Sequence, residues 1–574
     1  MKPGKYRLSS DQVSGKSIRL LPGVVIVVLQ WLIRFGMPAI LPDDRTLQIG
    51  VLGGILGGIA LMVWWGFFSR APKTERWSAI LLIILSLVAT SQFLDRSIST
   101  GAMGLMFIMV SIPIMSLAFV IWALVSRHLT NRFRRAAMVA IILSASGVWL
   151  FIRSDGMSGH FRFDYKWRWA KTQEKSFLEQ NNEKPVILYD SIGNGASWPG
   201  FRGAGRDGII HGTTINTDWK NFPPVELWRR KIGPGCSSIA INNNLLYTQE
   251  QRGEYEAVTC YSLITGKPVW IHEDKARFWD SHAGAGPRGT PTLSGDRLYT
   301  FGATGILNAL NPADGKLIWS RNAEKDTRGK NSGWGFTSSP LVVDSLVVIA
   351  ASGSLAAYDL VSGKSRWTVR DSSKGYSSPH LITIAGIPQL ILLSDTGAIS
   401  LEPVNGKLLW EYRWPMQDRI LQPAQSEDGD ILISGAMEGI RRVNVSKESG
   451  EWVLKERWTS TGMRPNFNDL VIHKGYVYGF DGLALACINL LDGKRKWRGG
   501  RYGGQIILLA DQDLLLVLSE KGELVLVSAT PDKSTELARF KAIEGKTWNH
   551  PVLAGDILIV RNSLEMAAFR INLQ

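Results

Sequence analysis

Residues 265–270 read TGKPVW, 314–319 DGKLIW, 362–367 SGKSRW, 405–410 NGKLLW and 492–497 DGKRKW. These are five copies of one signature: a glycine turn, a lysine, and a strand that ends in tryptophan. A degenerate copy ends at Trp458, Trp228 stands one period upstream, and a copy without tryptophan, STELARF, ends at Phe540. From Trp228 to Trp497 the tryptophans are 42, 49, 48, 43, 48 and 39 residues apart. A period of roughly 45 residues implies stacked units that bury their faces on one another. Within each period a Ser/Thr/Gly-rich start leads to an apolar strand, then to a second strand such as 298–301 and a third such as 306–311. The tryptophan strand is the fourth. Four short antiparallel strands joined by Asp-Gly and Asn-Gly turns make the blade of a β-propeller.

Blade number follows from length. Residues 228–574 span 347 positions, about 7.7 periods, and the last unit, 546–573, lacks a fourth strand. The strand 225–228 can fill that gap. The expectation is an eight-bladed propeller closed by its first strand, which removes exposed sheet edges; seven blades is the alternative. Trp228, Trp270, Trp319, Trp367, Trp410, Trp458 and Trp497 are read as structural, packing between neighbouring blades.

The N-terminal part is a different polymer. Residues 1–152 hold 15 Lys/Arg and 5 Asp/Glu, against 50 and 45 in residues 153–574, so +10 of the net charge of +15 lies in the first part. The basic excess is therefore no nucleic-acid footprint. Five apolar runs, 20–41, 47–68, 78–94, 102–125 and 136–152, are long enough to span a bilayer. Lys2, Lys5, Arg7, Lys16 and Arg19 precede the first run, Arg70, Lys73 and Arg76 follow the second, and Arg127, Arg132, Arg134 and Arg135 follow the fourth. The other turns carry Asp43, Asp44, Arg45, Asp95 and Arg96. The positive-inside rule then puts the N-terminus in the cytoplasm of a bacterial plasma membrane and the propeller on the periplasmic or extracellular side. With no Asp, Glu or His inside a run, the helices read as an anchor. Arg34 is expected to snorkel to the outer interface and Pro113 to kink the fourth helix.

The expected organisation is a five-helix transmembrane region at 1–152, a juxtamembrane connector at 153–197 and the propeller at 198–574. In the connector, FRFDYKWRW at 161–169 alternates aromatic and basic residues, as an interfacial segment or a plain strand would. A short helix is expected at 172–181, ending before Pro185. Cys236, Cys260 and Cys487 form no CxxC pair and read as buried small hydrophobes.

Beyond the repeat, 198–208 reads WPGFRGAGRDG, 286–291 GPRGTP and 545–553 GKTWNHPVL. With the Gly-Lys-x-x-Trp blade ends, these segments resemble the pyrroloquinoline-quinone (PQQ) repeat superfamily, in the branch of PQQ-like propellers related to BamB, over nearly all of 161–574. The resemblance implies an envelope binding or scaffolding domain. A second resemblance, of layout only, is to membrane-bound quinoprotein glucose dehydrogenases, which also place five helices before an eight-bladed propeller. That resemblance implies PQQ held with calcium, an acidic base near the axis, and electron transfer to quinone.

The residues decide between them. A calcium-held quinone needs oxygen ligands including a carboxylate. The positions expected to line the axis read CSS at 236–238, RGT at 288–290, TSS at 337–339, SS at 377–378, QP at 422–423, NFN at 466–468, GGQ at 503–505 and WNH at 548–550. Asp469 is the nearest carboxylate. The expectation is a binding propeller with neither bound cofactor nor metal, no catalytic residues, and partners in the lipid bilayer and another envelope protein or polymer; a PQQ dehydrogenase with Ca is the alternative. If a ligand binds, the channel mouth is the place, with Arg288, Trp334, Tyr376, Gln422, Arg464, Asn468, Gln505 and Trp548 as candidates. The arginines suit an anion and the aromatics a flat ring. GAGPRG at 284–289 has no strand before it or helix after it, and SGKS at 362–365 lacks the first glycine of a P-loop, so neither reads as a phosphate site. Asp280 and His282 are two potential ligands without a third.

Overall fold

The glycine of each Gly-Lys turn and the tryptophan four residues later serve different neighbours. In the computed structural model, a Cβ on Gly315 would fall 2.4 Å from the Trp270 ring, and one on Gly363 2.5 Å from Trp319. Gly266 meets Trp228, Gly406 meets Trp367 and Gly493 meets Trp458 in the same way. Each tryptophan therefore lies on the bare turn of the next blade, and its Nε1 donates to a carbonyl there. Trp228 bonds Leu263 O at 2.8 Å, Trp270 Pro312 O at 2.9 Å and Trp458 Leu490 O at 2.9 Å. Trp497 follows the rule onto Thr530 O at 2.7 Å. Trp410 departs from it. The next blade has no Gly-Lys turn but a hairpin of two ten-residue strands, Gly439–Glu448 and Glu451–Ser460, so Trp410 donates to Gln389 of its own blade at 2.8 Å.

The structure describes residues 19–41, 44–157, 163–180, 195–329, 333–370, 374–416 and 420–574. Lys2, Lys5, Arg7, Lys16, Asp43, Phe161, Arg162 and Pro185 lie outside them. Two compact units divide the chain, 1–170 and 171–574.

The second unit is an eight-bladed propeller of four-stranded antiparallel blades. Seven blades are contiguous: 240–274, 292–322, 341–369, 380–413, 424–460, 471–501 and 505–541. The eighth pairs Val552–Ala554, Ile557–Arg561 and Glu565–Arg570 with Val225–Lys231, so the first strand closes the ring as the period arithmetic requires. Arg561, fully buried, bonds Thr248, Gln249 and Gly235 of the first blade across this seam. The expected short helix forms at Gln173–Gln180 and docks on the first blade, Glu174 pairing with Arg277 at 2.8 Å. Cys260 and Cys487 are buried, while Cys236 is only half-buried, because it stands ahead of the first inner strand.

In the first unit, five helices are long and apolar enough to cross a membrane: Leu21–Ile40, Thr46–Phe68, Lys73–Ser91, Met106–His128 and Asn131–Phe151. Glycines let the first two approach closely. A Cβ on Gly53 would lie 2.4 Å from Ile33, and one on Gly57 2.6 Å from Gln30. Glu75, 1% exposed, pairs with Arg134 and Arg135 and so joins two of the basic turns at one end of the bundle. Arg34 does not snorkel. It turns inward against Gly54 and donates to Met109 O at 3.4 Å, the carbonyl that Pro113, lacking an N–H, leaves without its helical donor. After the last helix, Ile152–Met157 and Phe163–Trp167 form a hairpin tied to the bundle through Ser154 N to Ser97 Oγ at 2.8 Å. Trp167 and Trp169 stack on its exposed edge at 5.1 Å.

The glycine contact makes a graded prediction. Gly363→Ala meets both left-handed backbone (φ +65°) and the Trp319 ring, whereas Gly555→Ala meets left-handed backbone alone (φ +62°), with nothing within 4 Å. The first should cost at least about 2 kcal/mol and the second about 1 kcal/mol, read as shifts of the urea midpoint of the full chain in detergent.

Candidate functional site

Inner strands run along the axis, so the segments that lead into them converge at one end of the channel. They bring polar side chains that interlock as a girdle. Ser238 N donates to Thr290 Oγ1 (3.2 Å), Thr290 N to Ser339 Oγ (3.0 Å) and Ser339 N to Ser378 Oγ (2.9 Å). Gln422 N donates to Asp469 Oδ1 (3.1 Å) and Asp469 N to Gln505 Oε1 (3.2 Å). Asn468 reaches Gly504 O, and Asn549 reaches Cys236 O and Ser237 O. Each bond joins one blade to the next, which satisfies buried backbone groups that would otherwise be costly. Gln422, Asn468 and Gln505 thus belong to the girdle wall.

The WPGFRGAGRDG segment crosses the axis. Ser197–Trp198 adds a strand to the inner edge of the first blade, and Ile209–Ile210 runs parallel to Leu508–Leu509 of the seventh. Between them, Arg202 and Arg206 take left-handed backbone (φ 58° and 55°) and point to opposite sides. Arg202 Nη2 donates to Leu470 O at 2.8 Å, and Arg206 to Ser339 O at 3.1 Å and Pro340 O at 2.8 Å. Both are buried. Asp469 faces Arg202 Nε at 3.7 Å and His550 Nε2 at 3.3 Å. Burial alone would raise the Asp469 carboxyl, yet Arg202 and His550 hold it at about 2. His380, nearly enclosed, is pushed down to about 3 by burial and then by Arg206 and Arg202, so it stays neutral. A cavity of about 370 Å³ opens beside the segment, lined by Arg202, His380, Pro423, Leu470, His473 and Leu508 among others.

Aromatic side chains gather where the inner strands begin. Trp334 stacks on His282 (5.2 Å, 21°) and contacts Tyr376 at 6.4 Å and Trp548 at 6.3 Å; Trp548 meets Phe467 at 5.5 Å. Lys546 Nζ lies 4.1 Å over the Trp548 ring, whose Nε1 donates to Glu520 Oε1 at 2.8 Å. Burial lowers the Lys546 ammonium. The structure therefore brings Trp334, Tyr376 and Trp548 together from three blades. Arg288 and Arg464 are engaged with acids. Arg288, 8% exposed, pairs with Asp280 and donates to Gly286 O at 2.7 Å; Arg464 lies 3.3 Å from Asp481. Burial would raise Asp280, but His282, Arg288 and the backbone N–H groups of residues 282 and 283 hold it at about 2. Sequence reasoning missed the plug arginines, Lys546 and the contact role of Phe467. The available signal was two arginines four apart in a glycine-rich segment outside the repeat.

Calcium-held PQQ would need free oxygen donors, a carboxylate among them, at the axis. The axial carboxylates, Asp469 and Asp280, already face cationic side chains, and among the described residues no three His, Cys, Asp or Glu side chains form a metal-sized cluster. The donor set does not fit that group.

His380 carries a pH dependence. Its folded value lies below the ordinary 6.5, so below that pH the unfolded chain binds a proton that the folded chain refuses, and stability falls as pH drops from about 6.5 toward 3. His380→Gln should flatten the fall of the unfolding midpoint between pH 7 and pH 4; an unchanged slope would remove His380 from the account.

Residues 256–497 match the family model described as Outer membrane protein assembly factor BamB. The chain is 26% identical to the BamB of Yersinia pestis over 282 residues, 45% of this chain and 66% of that protein, so it spans just under two thirds of that relative. Identity to the BamB of Moranella endobia is 23% over 363 residues, 60% of this chain and 78% of that protein. The quinohemoprotein alcohol dehydrogenase of Comamonas testosteroni shares the fold at 13% identity with a TM-score of 0.50, covering 69% of this chain and 82% of that one. The chain thus combines five apolar helices with an eight-bladed propeller, of which residues 256–497 are similar to the BamB family model.

Proposed function

We propose that the chain is a membrane-anchored propeller that works outside the cytoplasm as a binding or scaffolding domain, without PQQ, for another envelope protein or polymer. The observation that carries this reading is the axis. Where a quinoprotein would need free oxygen ligands, this channel holds a cationic segment, Arg202 and Arg206, fastened to backbone carbonyls, and its carboxylates are paired. Asp469 and Asp280, held low by the cationic groups beside them, lack the raised basicity that a catalytic base would use. The open end instead presents Trp334, Tyr376, Phe467 and Trp548, large aromatic rings of the kind that anchor a partner's side chain.

The location rests on the Lys/Arg bias of the turns, with the N-terminus and the Glu75 end of the bundle in the cytoplasm. The names of the BamB relatives, assembly factors of the outer membrane, support an envelope partner.

Two measurements on the full chain test this reading. A photo-crosslinker at Tyr376 should capture one envelope component in membranes, and Trp334→Ala with Trp548→Ala should cut the yield at least about tenfold, the loss of one hot spot. Titration with PQQ and Ca²⁺ should show no saturable uptake; one-to-one binding with dye reduction would replace the scaffold by a dehydrogenase.

A further inference from the structure

Arg34 is the only charged side chain within the first span, and it is 9% exposed. It lies six residues before Ile40, where that span ends, about 9 Å along a helix axis. A π-helical turn, Leu32–Gly36, sets it against the second and fourth spans; such turns concentrate at functional positions. Its Nε serves Met109 O at 3.4 Å, which leaves most of a five-donor fork to be matched. Among the residues whose side chains the structure describes, no acid does so. Glu75 is held by Arg134 and Arg135, Asp95 by Arg168, Asp155 by Arg153 and Asp164 by Lys166.

A second observation stands independently of the first. The Tyr165 hydroxyl, on the hairpin after the last span, is buried without a hydrogen-bond partner, and so is the Trp149 indole N–H. The two rings meet edge-on at 5.8 Å and pack with Phe107, Val110 and Ile114 of the fourth span, the stretch whose Met109 carbonyl Arg34 contacts. Burial raises the phenol, which therefore remains an O–H donor. A guanidinium, a phenol and an indole in one region of the bundle are all donors. Ionisable groups at membrane depth mark binding sites when nothing in the chain neutralises them. The missing partner is an acceptor that carries negative charge, and a guanidinium fork matches phosphate oxygens.

We propose that Arg34, with Tyr165 and Trp149, binds the phosphate of an anionic lipid headgroup at the Ile40 end of the bundle. The lipid's phosphodiester supplies two non-bridging oxygens, each with more than one lone pair, to three donor groups. The site would seat one lipid per chain at a fixed place beside the first span.

The test uses the full chain in nanodiscs of phosphatidylcholine with phosphatidylglycerol, released for native mass spectrometry. The wild-type chain should retain one phosphatidylglycerol. Arg34→Gln should lower retention at least about tenfold, as loss of a charged hydrogen-bond donor does, Arg34→Lys by less, and Tyr165→Phe several-fold with the fold unchanged by circular dichroism. A parallel titration with inorganic phosphate separates the sources: competition with the lipid supports a site that reads the phosphate alone, and absence of competition supports one that needs the acyl chains too. Equal retention by the wild type, Arg34→Gln and Tyr165→Phe would overturn the proposal, as would a wild-type chain that holds neither lipid nor phosphate. Should Arg34→Gln fail to fold, Tyr165→Phe and Trp149→Phe, which keep the packed rings, decide the matter.

Discussion

A tryptophan ring laid on a bare glycine turn holds the propeller together, and it acts between blades rather than within them. Glycine serves twice at that position. Its φ of about +65° is one that side chains resist, and the missing Cβ is the space the ring occupies. Because each contact belongs to two blades, no blade is complete alone, and the ring must close for the first tryptophan to have an owner. Val225–Lys231 gives Trp228 to the eighth blade, which seats it on Gly266 of the first. Where the turn is lost, the chain substitutes. Trp410 turns to Gln389, and Phe540 packs against Trp219 and Phe569 in place of a tryptophan.

Fastening the blades from outside leaves the axis free to be polar. The Ser, Thr, Asn and Gln residues that open each blade bond to the next blade's backbone, and two arginines from outside the repeat cross the channel onto carbonyls of the third and sixth blades. An arginine bonded only to carbonyls remains charged in a buried place. It is tolerable here because several dipoles converge on each guanidinium and Asp469 supplies one counter-charge, while burial and the two guanidinium charges keep His380 neutral. The same arrangement leaves Asp469 paired with Arg202 and His550.

The period of the tryptophans was enough to read the blades, the strand order and the closing strand, because packing between identical units is written into identical residues. The apolar runs were as legible, since length and composition alone set a span. Side-chain direction was not. Arg34 reads in sequence like any arginine near a helix end, and only the glycines of the second span, which clear its path, turn it inward. At the mouth, eight residues stand at or just ahead of the inner strands, two of them in the sixth blade, yet they divide into three aromatic contacts, three girdle bonds and two ion pairs. That division depends on which neighbouring acids and carbonyls lie within reach, information held in loops that do not repeat. Arg202 and Arg206 were legible as a motif but not as a plug, because their partners lie 130 to 270 residues away.

The two units solve the same problem with different materials. In the propeller, buried donors find carbonyls, because every blade start exposes them to the axis. In the helical bundle most carbonyls are spent inside the helices; Pro113 releases Met109 O, and Arg34 takes it. Gln30 and Trp31, on the same face of the first span, reach the carbonyls of Gly54 and Pro113 at 2.6 and 3.2 Å. Among the described residues the Tyr165 hydroxyl and the Trp149 indole find no acceptor within the bundle. A helix bundle that carries more donors than its own backbone can serve must draw acceptors from its solvent, and for this face of the bundle the solvent is the lipid headgroup layer.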